Sequence, residues 1–381
     1  MEKNANIFVI CAPEISSILH NEIKDLSFTN ATKHPLGVHL SGTLSDCMFL
    51  NLQLRTANKV LWETGRFKAS TPDELYRKAT ALPWEDEIEV DSYFNIDSYV
   101  KNETITDSRF ANLKLKDAIA DRFMKINGAR PNSGPDKDQI RIYMHWTEAD
   151  CILYYDTSGG VIAKHGYRKI PGKAPMLESL AAAVIITSKW DQQSNFINPM
   201  CGSGTLAIEA ALLATNTAPG LFRNNFGFMH LASCDRDKWE TMRAKAEEAV
   251  IPTTANILAS DLSAEAIKIS QANAQAAGME KYITFELKDF RDIDVLDSPG
   301  VIILNPEYGE RMGDAEELRD IYKAIGDFFK QKCQGYFGYI FTGNRELAKV
   351  VGLRTKRKIP FFNGQLDCRL FEYELYGGSR D

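Results

Sequence analysis

Two stretches set polar residues, glycines and prolines at the ends of apolar runs, the pattern of a backbone shaped to hold a ligand. The first is Asn198-Pro199-Met200-Cys201-Gly202-Ser203-Gly204-Thr205, which follows Phe196-Ile197 and opens a helical run from Leu206 to Ala214. A strand, a glycine turn and a helix in that order bring backbone N–H groups close to a bound molecule. The turn is not a phosphate-binding P-loop, because no Lys-Ser/Thr follows its second glycine. In the second stretch Val301-Ile302-Ile303-Leu304 runs into Asn305-Pro306-Glu307-Tyr308-Gly309, its asparagine 107 residues on from Asn198. It reads as a buried strand closing in a polar Asn-Pro-x-aromatic turn. One glycine turn alone says little; two such turns, both at strand ends, say considerably more.

Together the two stretches resemble the S-adenosylmethionine loop and the amine-presenting loop of amino-group N-methyltransferases. That resemblance implies roles for individual residues. Gly202 and Gly204 let the backbone approach the methionine part of the cofactor. Asn198 and Thr205 are polar groups at the strand end and the helix start, and Cys201 is a small space-filler. The Asn305 side-chain oxygen and the Pro306 carbonyl accept the two N–H bonds of an exocyclic amine, while Tyr308 stacks on the base. Such an amine is a poor nucleophile, because its lone pair is delocalised into the ring. No strong base is needed, since the nitrogen becomes acidic as it is methylated.

Further candidates lie on the neighbouring strands. Asp261, with Leu262 after it, ends the run Ile257-Leu258-Ala259-Ser260, where an acid can accept both ribose hydroxyls. The same carboxylate could instead cap a helix starting at Ser263-Ala264-Glu265. Asp289-Phe290 closes the strand Ile283–Leu287 and fits adenine contact, or else a plain surface turn. Arg311 would meet an RNA phosphate or be solvated. Lys356 and Arg357, within the basic run Arg354–Lys358, are either a solvated face or an RNA contact near the mouth of the predicted site.

The elements that position these residues alternate. From residue 195 on, strands are expected at Phe196-Ile197, Asn256–Ser260, Ile283–Leu287, Val301–Leu304 and Tyr336–Phe341. A closing hairpin runs from Ile359–Phe362 through Asn363-Gly364 to Arg369–Tyr376. This is the signature of a doubly wound, mostly parallel α/β sheet with one reversed edge strand. Before it, residues 6–12, 38–42 and 59–67 read as strands around helices starting at Pro13-Glu14 and spanning Leu44–Ala57. Thr71-Pro72-Asp73-Glu74 starts another helix. A strand at Ser92–Val100, a helix at Phe110–Ile126 and a hairpin of Ile140–Trp146 with Cys151–Tyr155 follow. In that helix Leu113, Leu115, Ala118, Ile119, Phe123 and Ile126 are expected to face inward. Leu177–Trp190 is expected to be a largely buried helix. The expected domains are therefore 1–68, 69–157 and 158–381.

Composition sets the bounds. With 381 residues, 44% hydrophobic and 25% charged, the chain is an ordinary globular protein of several domains. A net charge of −6 argues against a nucleic-acid coat but not against local basic surfaces. One such surface is 109–141, where eight Lys/Arg against four Asp leave +4. The seven cysteines form no C-x-x-C pair, so neither disulfides nor a metal site is expected and a reducing cytoplasm is the natural location. No run approaches membrane-span length.

Over about 1–376 the chain resembles the THUMP-domain class of ribosomal-RNA guanine-N2 methyltransferases. More closely, it resembles the N-terminal half of the enterobacterial large-subunit enzyme that is fused to a second methyltransferase. The resemblance is carried by Lys173-Ala174-Pro175-Met176-Leu177-Glu178-Ser179-Leu180-Ala181-Ala182, by Asn198–Thr205, by Ala218-Pro219-Gly220-Leu221 with Phe226-Gly227-Phe228, and by Asn305–Arg311. It implies a ferredoxin-like domain, a THUMP RNA-binding domain and a Rossmann-like class I methyltransferase domain. It also implies S-adenosylmethionine as cofactor and 23S rRNA, naked or in a precursor particle, as partner. The family turn usually reads Asn-Pro-Pro-Tyr, whereas Glu307 holds the third place here. Two other functions remain open on sequence: an adenine-N6 methyltransferase of nucleic acid, and an RNA-binding ribosome-assembly factor without turnover.

Overall fold

The structure is a computed structural model that describes every residue except 1, 106, 172–175, 297–298, 308–314 and 377–381. It divides into two compact units. One comprises Met1–Cys11, Leu19–Ile162 and Arg223–Lys245; the other comprises Ala12–Ile18, Ala163–Phe222 and Ala246–Asp381. Residues 223–245 thus pack with the first unit, although they follow the glycine turn in sequence.

The first unit holds β1 (Ala5–Cys11), α1 (Ser16–Asp25), β2 (Thr32–His34), β3 (Gly37–Gly42), α2 (Leu44–Gln53) and β4 (Ala57–Lys68). After these come α3 (Pro72–Thr80), β5 (Tyr93–Lys101), α4 (Ser108–Asn127), β6 (Asn132–Ser133), β7 (Ile140–Thr147) and β8 (Asp150–Asp156). All eight strands join one sheet in the order β2-β3-β1-β4-β8-β7-β5-β6. The link is β4, a 12-residue strand that pairs β1 on one side and β8 on the other. Local sequence explains the helix starts. Thr43 and Asp46 form a capping box on α2, and the Thr71 hydroxyl accepts the Glu74 N–H ahead of Pro72 on α3. Three expectations shift. α1 begins at Ser16 rather than Pro13, with Glu14 at φ 68°. α2 stops at Gln53, because Leu54 is extended. In α4, Leu113 and Ile126 are about half exposed; the inward stripe is Ala111, Leu115, Ala118, Ile119 and Phe123, whose alanines let the helix sit close to its neighbours.

The second unit holds α5 (Glu178–Thr187), β9 (Asn195–Pro199) and α6 (Thr205–Ala214). After α7 (Arg236–Glu248) it continues with β10 (Ile257–Asp261), α8 (Ala264–Ala276), β11 (Ile283–Leu287), β12 (Gly300–Leu304), α9 (Ala315–Lys332), β13 (Phe337–Thr342), α10 (Arg345–Val350), β14 (Arg357–Asn363) and β15 (Leu366–Glu374). Its sheet runs β11-β10-β9-β12-β13-β15-β14. The first five are parallel; β15 is antiparallel to both β13 and β14. The reversed strand expected at the edge therefore lies one place in, and β14 forms the edge. Residues of β9 and β12 are buried throughout, as are Glu178–Ile185 of α5. Ile197, Leu258, Ile302, Leu304 and Phe290 share a core with Phe328, Phe329 and Tyr322 of α9.

Candidate functional site

The order of the second sheet reverses between β9 and β12. The chain leaves β9 toward β10 and β11, then returns to add β12 on the other side. Ligands of open α/β sheets bind outside the carboxyl ends of the strands at such a reversal. Both candidate turns stand there. Val301 pairs with Phe196 and Ile302 with Ile197, so Asn305 and the glycine turn leave adjacent strands at nearly the same level. Asn198 ties the two strands together, its Nδ2 donating to the Ile303 carbonyl at 2.9 Å.

The two glycines of the turn are needed for different reasons. Gly204 sits at φ +78°, and a Cβ there would lie 2.7 Å from the Ser270 Cβ on α8. Only glycine permits that approach of loop to helix. Gly202 sits at φ +55° with nothing within 4 Å of an added Cβ, so its bare face looks into open space. The turn is fixed by Cys201 N–H to the Ser260 carbonyl (2.9 Å), Gly204 N–H to the Cys201 carbonyl (2.9 Å) and Gly202 N–H to Asp261 Oδ2 (3.0 Å). Cys201 is buried, and burial pushes its thiol up to about 12. It is therefore an inert space-filler at neutral pH.

Asp261 braces rather than caps. One carboxylate oxygen accepts from Gly202 and the other from Ser263 N–H at 2.9 Å. The cap of α8 is Ser263, whose hydroxyl accepts from Ala266 N–H, which removes the capping alternative for Asp261. Leu262 beside it is 69% exposed. Asp289 and Phe290, at the end of β11, both have partners within the chain. The Arg291 guanidinium grips the Asp289 carboxylate at 2.6 and 2.8 Å and holds it below the usual carboxylate range. The Phe290 ring is buried edge-on against Phe328, 5.7 Å between centroids. The Arg291 guanidinium also stands over the Phe290 ring, 5.7 Å from its centroid.

In the turn after β12 Asn305 is half-buried, Pro306 buried and Glu307 exposed. Tyr308 and Arg311 lie outside the described residues. Lys356 and Arg357 are not near this crevice. β14 runs parallel to β13, so its first residues stand at the amino end of the sheet, away from the turns. Both are also engaged: Lys356 pairs with Glu374, and Arg357 with the fully buried Glu372. The hairpin reverses the chain once more than a lone antiparallel edge strand would, which is why the expected proximity fails.

Several positioning residues carried no distinctive sequence signal. Arg168 Nη2 donates to Thr205 Oγ1 at 2.9 Å and to the Met176 carbonyl at 2.6 Å, while its Nε lies 3.5 Å from Glu178. Asn273 of α8 accepts from Lys169 and Ile170 N–H and donates to the Ser203 carbonyl at 3.2 Å. A lone Arg in a basic segment and a lone Asn in a helix look like solvated residues until the fold joins them. Behind α6, His165 and Glu209 form a buried pair at 2.8 Å. Among the described residues, no group of three or more His, Cys, Asp or Glu is placed to hold a metal ion, and no helix is long and apolar enough to cross a membrane.

Comparison with known proteins places this geometry. Residues 165–372 match the RMKL-like methyltransferase domain, 69–156 the THUMP domain and 6–61 the RlmL ferredoxin-like domain. A ribosomal RNA large subunit methyltransferase K/L of Psychromonas ingrahamii is 35% identical over 97% of this chain and 50% of its own length. The chain thus spans about half the length of the curated K/L relatives it matches. A Synechocystis sp. protein provisionally named an RNA methyltransferase is 32% identical over 97% of this chain and 96% of its own. A crystal structure provisionally described as a methyltransferase, complexed with SAH, superposes with a TM-score of 0.90 at 26% identity over all of both chains. The chain belongs to the RMKL-like methyltransferase family, with a Rossmann-like methyltransferase fold preceded by ferredoxin-like and THUMP domains.

Proposed function

We propose that this protein transfers a methyl group from S-adenosylmethionine to the exocyclic N2 amine of a guanine in 23S rRNA, acting in the cytoplasm on naked rRNA or a precursor particle. The observation that carries the reading is the exit of the glycine turn and of Asn305-Pro306 from the carboxyl ends of adjacent strands at the sheet's reversal point. The family match and the SAH-bound relative supply the cofactor; the K/L relatives and the THUMP match supply the RNA.

The residues present fit the cofactor. Gly202 offers a face with no side chain and no neighbour. Asn198 Oδ1 is buried without a hydrogen-bond partner among the described residues, an acceptor in want of a donor such as an amino group. Asp261, held by two backbone N–H groups, can still accept from ribose hydroxyls through its remaining lone pairs. When bound, the cofactor supplies an electrophilic methyl on a sulfonium. The protein's part is geometry. Asn305 Oδ1 and the Pro306 carbonyl hold the amine's two N–H bonds, which turns its lone pair toward the methyl, and Tyr308 stacks on the base. Such positioning accounts for about 7–11 kcal/mol of a barrier, so acceptors suffice without a strong base. The proton leaves to solvent once the nitrogen is methylated.

The test is nucleoside mass spectrometry of rRNA from a strain lacking the gene and from the complemented strain. Loss of one N2-methylguanosine, restored by complementation, is the expected result. An unchanged N2-methylguanosine content refutes the reading, and loss of N6-methyladenosine instead would assign adenine as the acceptor.

A further inference from the structure

The turn that follows β8 gathers two arginines around a bare backbone, all within the first unit. It reads Ser158-Gly159-Gly160-Val161, and of its two glycines only Gly159 is left-handed, at φ +67°. Beyond its own chain neighbours, a Cβ added at Gly160 would meet two atoms within 4 Å: Arg223 Nη2 at 3.7 Å and Arg141 Nη1 at 3.8 Å. The N–H groups of Gly160 and Val161 donate to nothing among the described residues. Gly160 is half-buried and Val161 exposed, so the turn meets solvent. The guanidinium of Arg223 donates through Nη1 to the Val161 carbonyl and through Nη2 to the Ser158 carbonyl, both at 3.2 Å. Among the described residues its buried Nε has no hydrogen-bond partner and no carboxylate pairs with it. Burial pulls its pKa below the usual arginine value, an effect that the charge of Asp156 opposes.

Arg141 is held from three sides. Its Nη1 donates to the Gly159 carbonyl at 3.1 Å, its Nη2 pairs with Asp97, and its Nε lies 3.9 Å from Asp156. Both carboxylates are shared, Asp97 with Lys137 at 3.0 Å and Asp156 with Lys59 at 2.7 Å. The linked group is thus Lys59, Lys137, Arg141 and Arg223 against Asp97 and Asp156, and four minus two leaves +2. Phe226 lies against the Arg223 guanidinium, 5.2 Å to the ring centroid, and keeps it in place. A partly desolvated positive excess is costly until an anion enters it, and guanidiniums beside free backbone N–H groups are the donors an oxyanion takes. We infer that Arg223, Arg141 and the N–H groups of Gly160 and Val161 form a binding site for one phosphate group, supplied by the backbone of the RNA substrate. A phosphodiester brings two non-bridging oxygens, one for each guanidinium. The anion site stands on the geometry alone; RNA as the source of the phosphate rests on the function proposed above.

The test uses two substitutions at Gly160, whose φ lies outside the left-handed range. Gly160→Ala places a methyl in ordinary contact with both guanidiniums, where the anion would sit. Gly160→Asp adds a tethered carboxylate there instead. Calorimetric melting and titration with SAH, both expected to match wild type or better, show that each variant is folded. Two readouts follow. Wild type should melt higher in sodium phosphate than in sodium chloride of equal ionic strength, and both variants should lose that difference. In filter binding to a 23S rRNA transcript, Gly160→Asp should weaken affinity by about tenfold and lower the slope of log affinity against log salt by about one, the loss of one phosphate contact. Loss of the phosphate effect with an unchanged RNA slope keeps the anion site and overturns RNA as its source. No difference between wild type and the folded variants in either readout overturns the inference. A wild-type protein that does not bind the transcript overturns the reading of function, while the phosphate melting still decides the anion site.

Discussion

The two glycines of the donor turn should fail in opposite ways when each is changed to alanine. At Gly204 the new Cβ would meet the Ser270 Cβ at 2.7 Å and its Cα at 3.2 Å, with the Ile208 side chain at 3.5 Å. Ser270 is fully buried on α8, so the obstacle is a packed helix and not a side chain that can swing away. A left-handed φ of +78° costs an L-residue about 1–2 kcal/mol, and forced overpacking adds about 1–3. Gly204→Ala should therefore lose about 2–5 kcal/mol, or roughly 5–15 °C in the melting of a unit of this size. Gly202 has a similar φ, +55°, but open space around the added methyl. Gly202→Ala should cost only the strain of about 1–2 kcal/mol. Its methyl instead projects toward the proposed cofactor, and SAH affinity should fall by about tenfold or more. Differential scanning calorimetry and isothermal titration with SAH read the two effects separately. The reasoning fails if Gly204→Ala melts within about 2 °C of wild type, or if Gly202→Ala is the less stable of the two.

Three further expectations follow from the site. Asn305→Ala should abolish methyl transfer while leaving SAH affinity nearly unchanged; loss of both together would contradict its role as an amine acceptor. Cys201 should resist thiol reagents in the native protein at pH 8, because burial pushes its thiol up to about 12, and Cys201→Ala should keep methyl transfer within about fivefold. Arg357→Met should destabilise the second unit without weakening RNA binding, as judged by melting and by filter binding. Burial alone would raise the Glu372 carboxyl, but the Arg357 and Tyr339 hydrogen bonds outweigh it and bring it below its ordinary value. A carboxyl depressed in the folded state contributes stability above its unfolded value and loses it as pH falls through the folded one. Arg357→Met should therefore cost about 2–3 kcal/mol near neutrality, less than a fully buried pair because Arg357 is 42% exposed. The variant should also show a flatter loss of stability in acid.

Much of the second unit was legible because a buried parallel strand leaves a nearly continuous apolar run. Ile283–Leu287 was located to the residue, and Val301–Leu304 to within one. The two turns were legible for a related reason: glycine and proline at strand ends report backbone demands directly. Properties that depend on which face a residue presents were not legible. Asp289-Phe290 reads as an adenine contact or a surface turn, and nothing in the sequence shows that Arg291 and Phe328 engage the pair. The basic run at 354–358 looked close to the crevice because sequence nearness to the closing hairpin does not say which end of the sheet the hairpin meets. Arg168 and Asn273 were invisible for the same reason, since their partners lie 37 and 70 residues away. The merging of two small α+β pieces into one eight-stranded sheet rests on β4 pairing at both edges, which no local pattern encodes.

The placement of β15 has a consequence for how the chain is made. The strand slots between β13 and β14, antiparallel to both. As the polypeptide leaves the ribosome, β9 through β13 can assemble in parallel while the outer side of β13, Phe337–Thr342, still has no neighbour. That row of largely buried residues is a sticky open margin until residues 366–374 emerge and zip in. Emergence of residues 366–374, and not the synthesis of any earlier motif, is then the event that seals the sheet. Nascent chains stalled before residue 366 should be the ones that chaperones hold.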